Sequence, residues 1–241
     1  MKESGIFYDS ANLEGFKKWF DTGILGGATT NPVILQKEGI LDVPEHIEKM
    51  IEISGPNFPI SIEIPDSDMS KGEMVDLALR YRDRFPGNAV IKVPMDPRDS
   101  QKAFEVMYKL SQEGVRLNAT LGISAGQLIG ASEAMRGSTA QGDNYISLFW
   151  GRCDEAKGEG AAVRTLATTL KYLQTHSLAT KVIIGSIRNT DQIEEAFVNG
   201  ADIVTIPPKL LEEWMFTQRG VETADQFNKA YRDVREKMKL I

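Results

Sequence analysis

Short apolar runs alternate with longer segments in which apolar residues return every three or four positions. The runs at 5–8, 26–29, 60–64, 89–93, 116–120, 145–149, 181–185 and 202–206 are short and rich in β-branched side chains, so they read as buried strands. Between them, 12–20, 45–53, 71–84, 100–113, 124–135, 160–176 and 191–199 carry the helical period. Asp99 or Ser100, Ser124, and Asn189 or Thr190 are the expected N-caps, because a short polar side chain can take up a free amide of the first turn. Gly114 and Gly200 are the expected helix stops. Strict strand–helix alternation implies a parallel sheet in an α/β fold. Eight such units imply closure into a (β/α)8 TIM barrel. An open doubly wound sheet is the alternative, but no G-x-G-x-x-G follows the first strand. A further helix at about 224–238, polar on much of its surface, follows the eighth unit and could cover the barrel or a neighbouring subunit. No linker or low-complexity tract divides the chain, so 1–241 is expected to be one barrel domain.

Composition narrows this picture. The 241 residues match the ~250 of one such barrel. With 41% apolar and 26% charged residues, the chain can bury a large core without covalent staples. A net charge of −6 and the lack of a basic block speak against a nucleic-acid partner. The single cysteine, Cys153, excludes an internal disulfide and suits a reducing compartment. His46 and His176 are the only histidines, and neither sits at a strand end or in a Cys/His pattern, which argues against thiol and metal chemistry. The segment Met1-Lys2-Glu3-Ser4-Gly5 has no apolar signal core, and no stretch nears the ~20 apolar residues of a membrane span. A cytoplasmic, soluble protein without metal or cofactor is the expectation.

In this architecture chemistry gathers at the C-terminal ends of the strands. The fourth strand, Ala89-Val90-Ile91-Lys92-Val93-Pro94, places a lysine inside an apolar run, where an unpaired ammonium is costly. A lysine in a low-dielectric site gives up its proton more readily, and the free amine can attack a carbonyl to form a Schiff base. The other strand ends are equally polar: Asp9; Thr29-Thr30-Asn31-Pro32; Glu63; Asn118 and Thr120; Ser147, followed by Arg152 and Asp154; and Ser186 with Arg188. The eighth strand ends in Pro207-Pro208-Lys209, with no obvious catalytic group. Each residue has a plainer use. Asp9 and Asn31 could cap helices, the hydroxyls and Asn118 could satisfy backbone groups, Glu63 could pair with Lys92 structurally, and the arginines could face water. An acid, an amine and two arginines at one barrel mouth make a functional cluster the better account of the set.

The segments Ile6-Phe7-Tyr8-Asp9-Ser10-Ala11-Asn12, Thr29-Thr30-Asn31-Pro32, Val90-Ile91-Lys92-Val93-Pro94, Asn118-Ala119-Thr120-Leu121 and Gly185-Ser186-Ile187-Arg188-Asn189 resemble the transaldolase family. The likeness is greatest to its short, single-barrel branch, which also holds the fructose-6-phosphate aldolases. Gly200-Ala201-Asp202-Ile203-Val204-Thr205-Ile206-Pro207 is similar to the family's last strand, and the resemblance runs in order along nearly the whole chain. It implies a cofactor-free class I mechanism in the pentose phosphate pathway. A dihydroxyacetone unit would pass from a ketose phosphate, sedoheptulose 7-phosphate or fructose 6-phosphate, to an aldose phosphate. Lys92 would form the Schiff base, Asp9 would take the sugar hydroxyl proton, and Glu63 with Thr120 would hold the relaying water. Asn31 and Ser147, with Asn118, would bind the dihydroxyacetone part, and Arg152, Ser186 and Arg188 the phosphate. A homo-oligomer, pentamer or decamer, is implied as well.

The same resemblance bears on transfer versus simple cleavage. Transaldolases of this family carry Glu on the third strand, then Ser and Phe at the sixth; the fructose-6-phosphate aldolases carry Gln, Ala and Tyr. Glu63, Ser147 and Phe149 follow the transaldolase pattern. Aldol cleavage that releases dihydroxyacetone is the alternative, and a sugar-phosphate-binding paralogue without turnover is a second. Departures from the family pattern occur at Ile123, Leu148, Trp150 and Cys153, in the charged segment Met95-Asp96-Pro97-Arg98-Asp99, and in the extended segment Gln141-Gly142-Asp143. They are expected to ring the acceptor side of the site.

Overall fold

The computed structural model describes residues 5–140, 144–235 and 238. Eight parallel strands close on themselves in chain order: β1 (Ile6–Asp9), β2 (Gly27–Thr29), β3 (Ile60–Glu63), β4 (Ala89–Pro94), β5 (Leu117–Gly122), β6 (Tyr145–Phe149), β7 (Lys181–Gly185) and β8 (Ile203–Ile206). β8 pairs back onto β1 through Thr205 and Phe7, so no edge is left open. Around the strands run α1 (Leu13–Phe20), α2 (Pro32–Lys37), α3 (Val43–Ser54), α4 (Lys71–Arg84), α5 (Ser100–Gln112), α6 (Ala125–Ala134), α7 (Trp150–Lys157), α8 (Ala161–Thr175), α9 (Thr190–Val198), α10 (Pro208–Met215) and α11 (Gln218–Val234). This is the expected (β/α)8 barrel with an additional C-terminal helix.

The period of two along each strand makes two cores. Outward-facing Tyr8, Ala28, Ile62, Ile91, Val93, Ile146 and Val204 meet helix residues such as Phe16, Met50, Met74, Leu110, Leu128 and Leu166 in one continuous apolar shell. Inside the barrel, Phe7, Val90, Tyr145, Ile183 and Ile203 form a separate plug. Gly27 is required there, because a Cβ at that position would lie 2.4 Å from the Phe7 ring. Two residues further along the same strands, on the same inner face, stand Asp9, Lys92, Ser147, Gly185 and Thr205. The plug closes the bottom of the barrel, and the polar layer sits on top of it.

The helix boundaries follow local chemistry. Asp99, Ser124 and Asn189 cap α5, α6 and α9 by accepting amides at the third position inside each helix. Gly114 and Gly200 take the left-handed conformation that ends a helix. Asn12, not Asp9, caps α1, which leaves the Asp9 carboxylate to the barrel interior. The C-terminal helix starts earlier than the 224 expected from the sequence. It begins at Gln218, because the Thr217 side chain accepts the Gly220 amide, and it is described through Val234. α2, α7 and α10 were not foreseen; each is short and follows a strand directly, so no helical period has room to show. The segment 141–143 lies outside the described residues.

Among the described residues, no helix is long and apolar enough to cross a membrane.

Candidate active site

A cavity of about 600 Å³ opens above the plug. Its walls include Asp9, Asn31, Glu63, Lys92, Ser147, Phe149, Arg152, Ser186 and Arg188, nine of the residues the sequence singled out. Asn118 and Thr120 are not in the walls; they are fully buried on β5, one strand from Lys92. Asn118 links Ser147, which donates to its side-chain oxygen at 2.7 Å, to Ser61 at 3.2 Å.

Lys92 occupies the inner face of β4, directly beside Glu63 in the β3–β4 ladder. Both point inward, so the register itself makes the pair: the Lys92 Nζ lies 2.9 Å from Glu63 Oε2. The two side chains are only 5% and 11% exposed. The Thr30 carbonyl accepts a second Lys92 hydrogen bond at 2.8 Å. Asp9, from β1, lies within electrostatic reach of both Lys92 and Glu63. Burial raises its carboxyl above the usual range, while the Lys92 charge and a hydrogen bond from Thr29 pull it back. That bond measures 2.7 Å, and Thr29 Oγ1 in turn lies 2.5 Å from Thr205 Oγ1. Thr120 Oγ1 is buried and has no hydrogen-bond partner within the described chain.

The rim is cationic. Arg152 lies over the Phe149 ring, 5.9 Å from its centroid, which holds the guanidinium at the cavity edge. Arg188 is held by Glu155 at 3.1 Å and stays half exposed. Ser186 lies between them in chain order with φ 60°, a left-handed conformation that strains a side-chain-bearing residue, and its buried Oγ has no partner in the described chain. The close approach of α7 to this turn depends on Gly151: its amide donates to the Ser186 carbonyl at 3.1 Å, and a Cβ there would lie 2.6 Å from that oxygen and 2.9 Å from the Arg188 side chain. Asn31 caps α2 through the Ile34 amide at 3.0 Å and also lines the cavity, so its capping role and its position at the site coexist. Among the described residues, no three His, Cys, Asp or Glu side chains are grouped to hold a metal ion.

Among the described residues, the sequence departures do not ring this cavity. Met95, Leu148, Trp150 and Cys153 are fully buried in the outer shell, and Ile123 is not in the cavity wall. The reason is strand alternation: Ser147 and Phe149 face inward, so Leu148 between them faces the helices. The charged Met95–Asp99 segment instead clips two loops together, with Arg98 and Ser67 both bonded to Asp96. Reading strand ends alone named Thr29 without a role and missed Thr205 and Lys37, which line the cavity, and Glu155, which holds Arg188. Counting by twos from Ile203 would have put Thr205 on the inner face; nothing local marks Lys37 or Glu155.

A family profile described as Transaldolase/Fructose-6-phosphate aldolase matches residues 6–240. A protein of Nitrosopumilus maritimus named "Probable transaldolase" is 36% identical over 223 residues, 90% of this chain and 91% of its own. One of the same name from Brachyspira hyodysenteriae is 33% identical over 232 residues, 95% and 98% of the two chains. Among solved structures, a putative dihydrodipicolinate synthase family protein of Coccidioides immitis superposes with TM-score 0.60 at 12% identity, covering 85% of this chain and 66% of that one. A mutant tryptophan synthase alpha-subunit of Pyrococcus furiosus does so with TM-score 0.56 at 13% identity, covering 86% and 89%. These two share the barrel and carry nothing about chemistry. The profile match and the two sequence relatives, spanning nearly the whole chain with the polar barrel mouth included, place it in the transaldolase/fructose-6-phosphate aldolase family.

Proposed function

We propose that this chain is a transaldolase that moves a dihydroxyacetone unit from a ketose phosphate to an aldose phosphate through a Schiff base on Lys92. The observation that carries the reading is the Lys92 amine, buried beneath a cavity and held 2.9 Å from Glu63. The Lys92 amine adds to the C2 carbonyl of sedoheptulose 7-phosphate or fructose 6-phosphate, and loss of water gives the iminium. Glu63 hands protons to and from that water, and the Thr120 hydroxyl on the neighbouring β5 is assigned to the same relay. Asp9 takes the proton of the C4 hydroxyl as the C3–C4 bond breaks, and the bonding pair flows into the iminium to give an enamine. The released aldose leaves, the acceptor aldehyde enters, and the steps reverse, Asp9 returning its proton to the new hydroxyl. Asn31 and Ser147 bind the three-carbon unit, and Asn118 helps by holding Ser147 through their 2.7 Å hydrogen bond. Arg152, Ser186 and Arg188 take the phosphate; guanidinium forks give paired, charge-assisted hydrogen bonds to such a group.

Glu63 and Phe149 favour transfer over release. A phenylalanine offers no proton and no anchor for water beside the enamine, so the enamine waits for an aldehyde. The reaction needs neither cofactor nor metal, and the buried thiol Cys153 suits a reducing, cytoplasmic setting. A second copy of the chain is part of the reading. On α11, Phe227, Tyr231 and Val234 lie exposed at helical spacing, and none of the helix's residues is buried. In proteins most helical stability comes from packing an apolar face against a neighbour. Light scattering that finds a monomer would remove this part.

The test of the activity is borohydride trapping with fructose 6-phosphate, read by peptide mass spectrometry with and without erythrose 4-phosphate. A three-carbon adduct on Lys92 that disappears with acceptor supports transfer. An adduct unaffected by acceptor, with dihydroxyacetone accumulating, makes the chain an aldolase. No adduct with this donor or a panel of ketose phosphates leaves a sugar-phosphate-binding barrel and overturns the proposal.

A further inference from the structure

We infer that Thr205, on the eighth strand, is a positioning residue that acts on Asp9 through Thr29. The inference rests on the reading of Asp9 as the acid–base group. Three inner-face side chains on adjacent strands form one hydrogen-bonded line, Thr205 on β8 to Thr29 on β2 to Asp9 on β1, the strand between the other two. Thr29 Oγ1 lies 2.7 Å from Asp9 Oδ1 and 2.5 Å from Thr205 Oγ1. Both threonines are nearly sealed, at 2% and 6% exposure, and all three residues line the cavity.

The order of protons along the line follows from valence. An ionised carboxylate only accepts, so the single Thr29 hydroxyl proton goes to Asp9 Oδ1. The Thr29 oxygen then accepts from Thr205, whose proton is thereby committed. A hydroxyl that receives a hydrogen bond gives a stronger one. Thr205 thus strengthens and aims the bond to Oδ1, which leaves Oδ2 as the oxygen that takes the substrate proton. The charged groups acting on Asp9 are Lys92 from β4, which favours the ionised carboxyl, and Glu63 from β3, which opposes it. β2 and β8 contribute the two hydroxyls alone. Weakening the line therefore raises the pH at which Asp9 becomes an effective base.

A double-mutant cycle tests this, because a residue acting only through another loses its effect when that other is gone. Thr29→Val, Thr205→Val, the double variant and Thr205→Ser are assayed for fructose 6-phosphate cleavage with acceptor present. Thr29→Val is expected to lower kcat roughly thirty-fold and Thr205→Val roughly five-fold, with KM within about two-fold, as loss of aim does. Both shift the acid limb of kcat/KM upward. The double variant matches Thr29→Val, and Thr205→Ser regains the wild-type limb. Thr205→Ala, which removes the hydroxyl without adding bulk, replaces the valine variant if that one misfolds. Independent losses that multiply in the double variant, or a Thr205→Val enzyme with unchanged kcat and pH profile, overturn the inference. Dihydroxyacetone trapping on Lys92 needs no carbon–carbon cleavage. A wild-type protein that traps nothing and cleaves nothing overturns the underlying reading, whereas one that does both isolates the test of Thr205.

Discussion

Replacing Glu63 by leucine strands an ammonium inside the barrel, and the size of the effect can be worked out beforehand. At 2.9 Å and an effective dielectric of ~20, the Lys92–Glu63 attraction is roughly 6 kcal/mol. Burying each ion loses several kcal/mol of hydration, so the intact pair contributes little net stability. Removing one partner deletes the attraction and keeps the other's desolvation, a loss of ~3–5 kcal/mol. The Lys92 bond to the Thr30 carbonyl keeps Glu63→Leu near the lower end. Lys92→Met should lose a similar amount, because it leaves the Glu63 carboxylate alone. The double variant, with two apolar side chains facing each other, should lie within about 2 kcal/mol of the wild type. Urea unfolding followed by circular dichroism at one fixed subunit concentration gives the three values. In thermal melts the single variants should lose roughly 6–20 °C. A Glu63→Leu loss below ~1 kcal/mol, the size of a surface pair, would refute the reasoning. So would a double variant whose loss equals the sum of the singles.

Arg188→Ala should raise KM for fructose 6-phosphate roughly 10–150-fold, the worth of a hydrogen bond to a charged group, and change KM for dihydroxyacetone by less than about two-fold. Equal changes for both substrates would take Arg188 out of phosphate binding. Gly151→Ala forces a methyl against the Ser186 carbonyl, which cannot swing aside, so a loss of ~1–3 kcal/mol and a higher KM for phosphorylated sugars are expected; an unaltered melting temperature would contradict it. Asp9 gives a pH signature. Burial raises its carboxyl, so the native state keeps its proton where the unfolded chain has lost it, and stability falls as pH rises from the unfolded value of ~3.9 through the raised native one. Asp9→Asn removes this term, so its melting temperature should gain on the wild type as pH rises through that window. A difference that does not vary with pH would show that burial does not hold the Asp9 proton.

Much of the fold was readable because a closed parallel barrel leaves a periodic trace. Each strand is covered on both sides and therefore reads as an apolar run, and each crossover needs an amphipathic helix. Where that logic weakened, so did the reading. α2 has only six residues and α11 no buried ones, so neither carries the full signature of burial. At the site, Lys92 stood out because a lysine in an apolar run breaks the pattern. Thr205 did not, because a threonine in a strand breaks nothing.

Sequence alone determined the kind of fold and the chemistry available at the barrel mouth, because periodicity and residue type are local properties. Tertiary structure decided the rest. The β3–β4 register put Glu63 against Lys92, and barrel closure made β8 the neighbour of β1, which brought Thr205 into line with Thr29 and Asp9. Strand alternation sent Leu148 to the shell and Ser147 to the cavity. The physical reason is that distance between residues far apart in the chain is set by packing and hydrogen-bond register. Those act only once the barrel has closed.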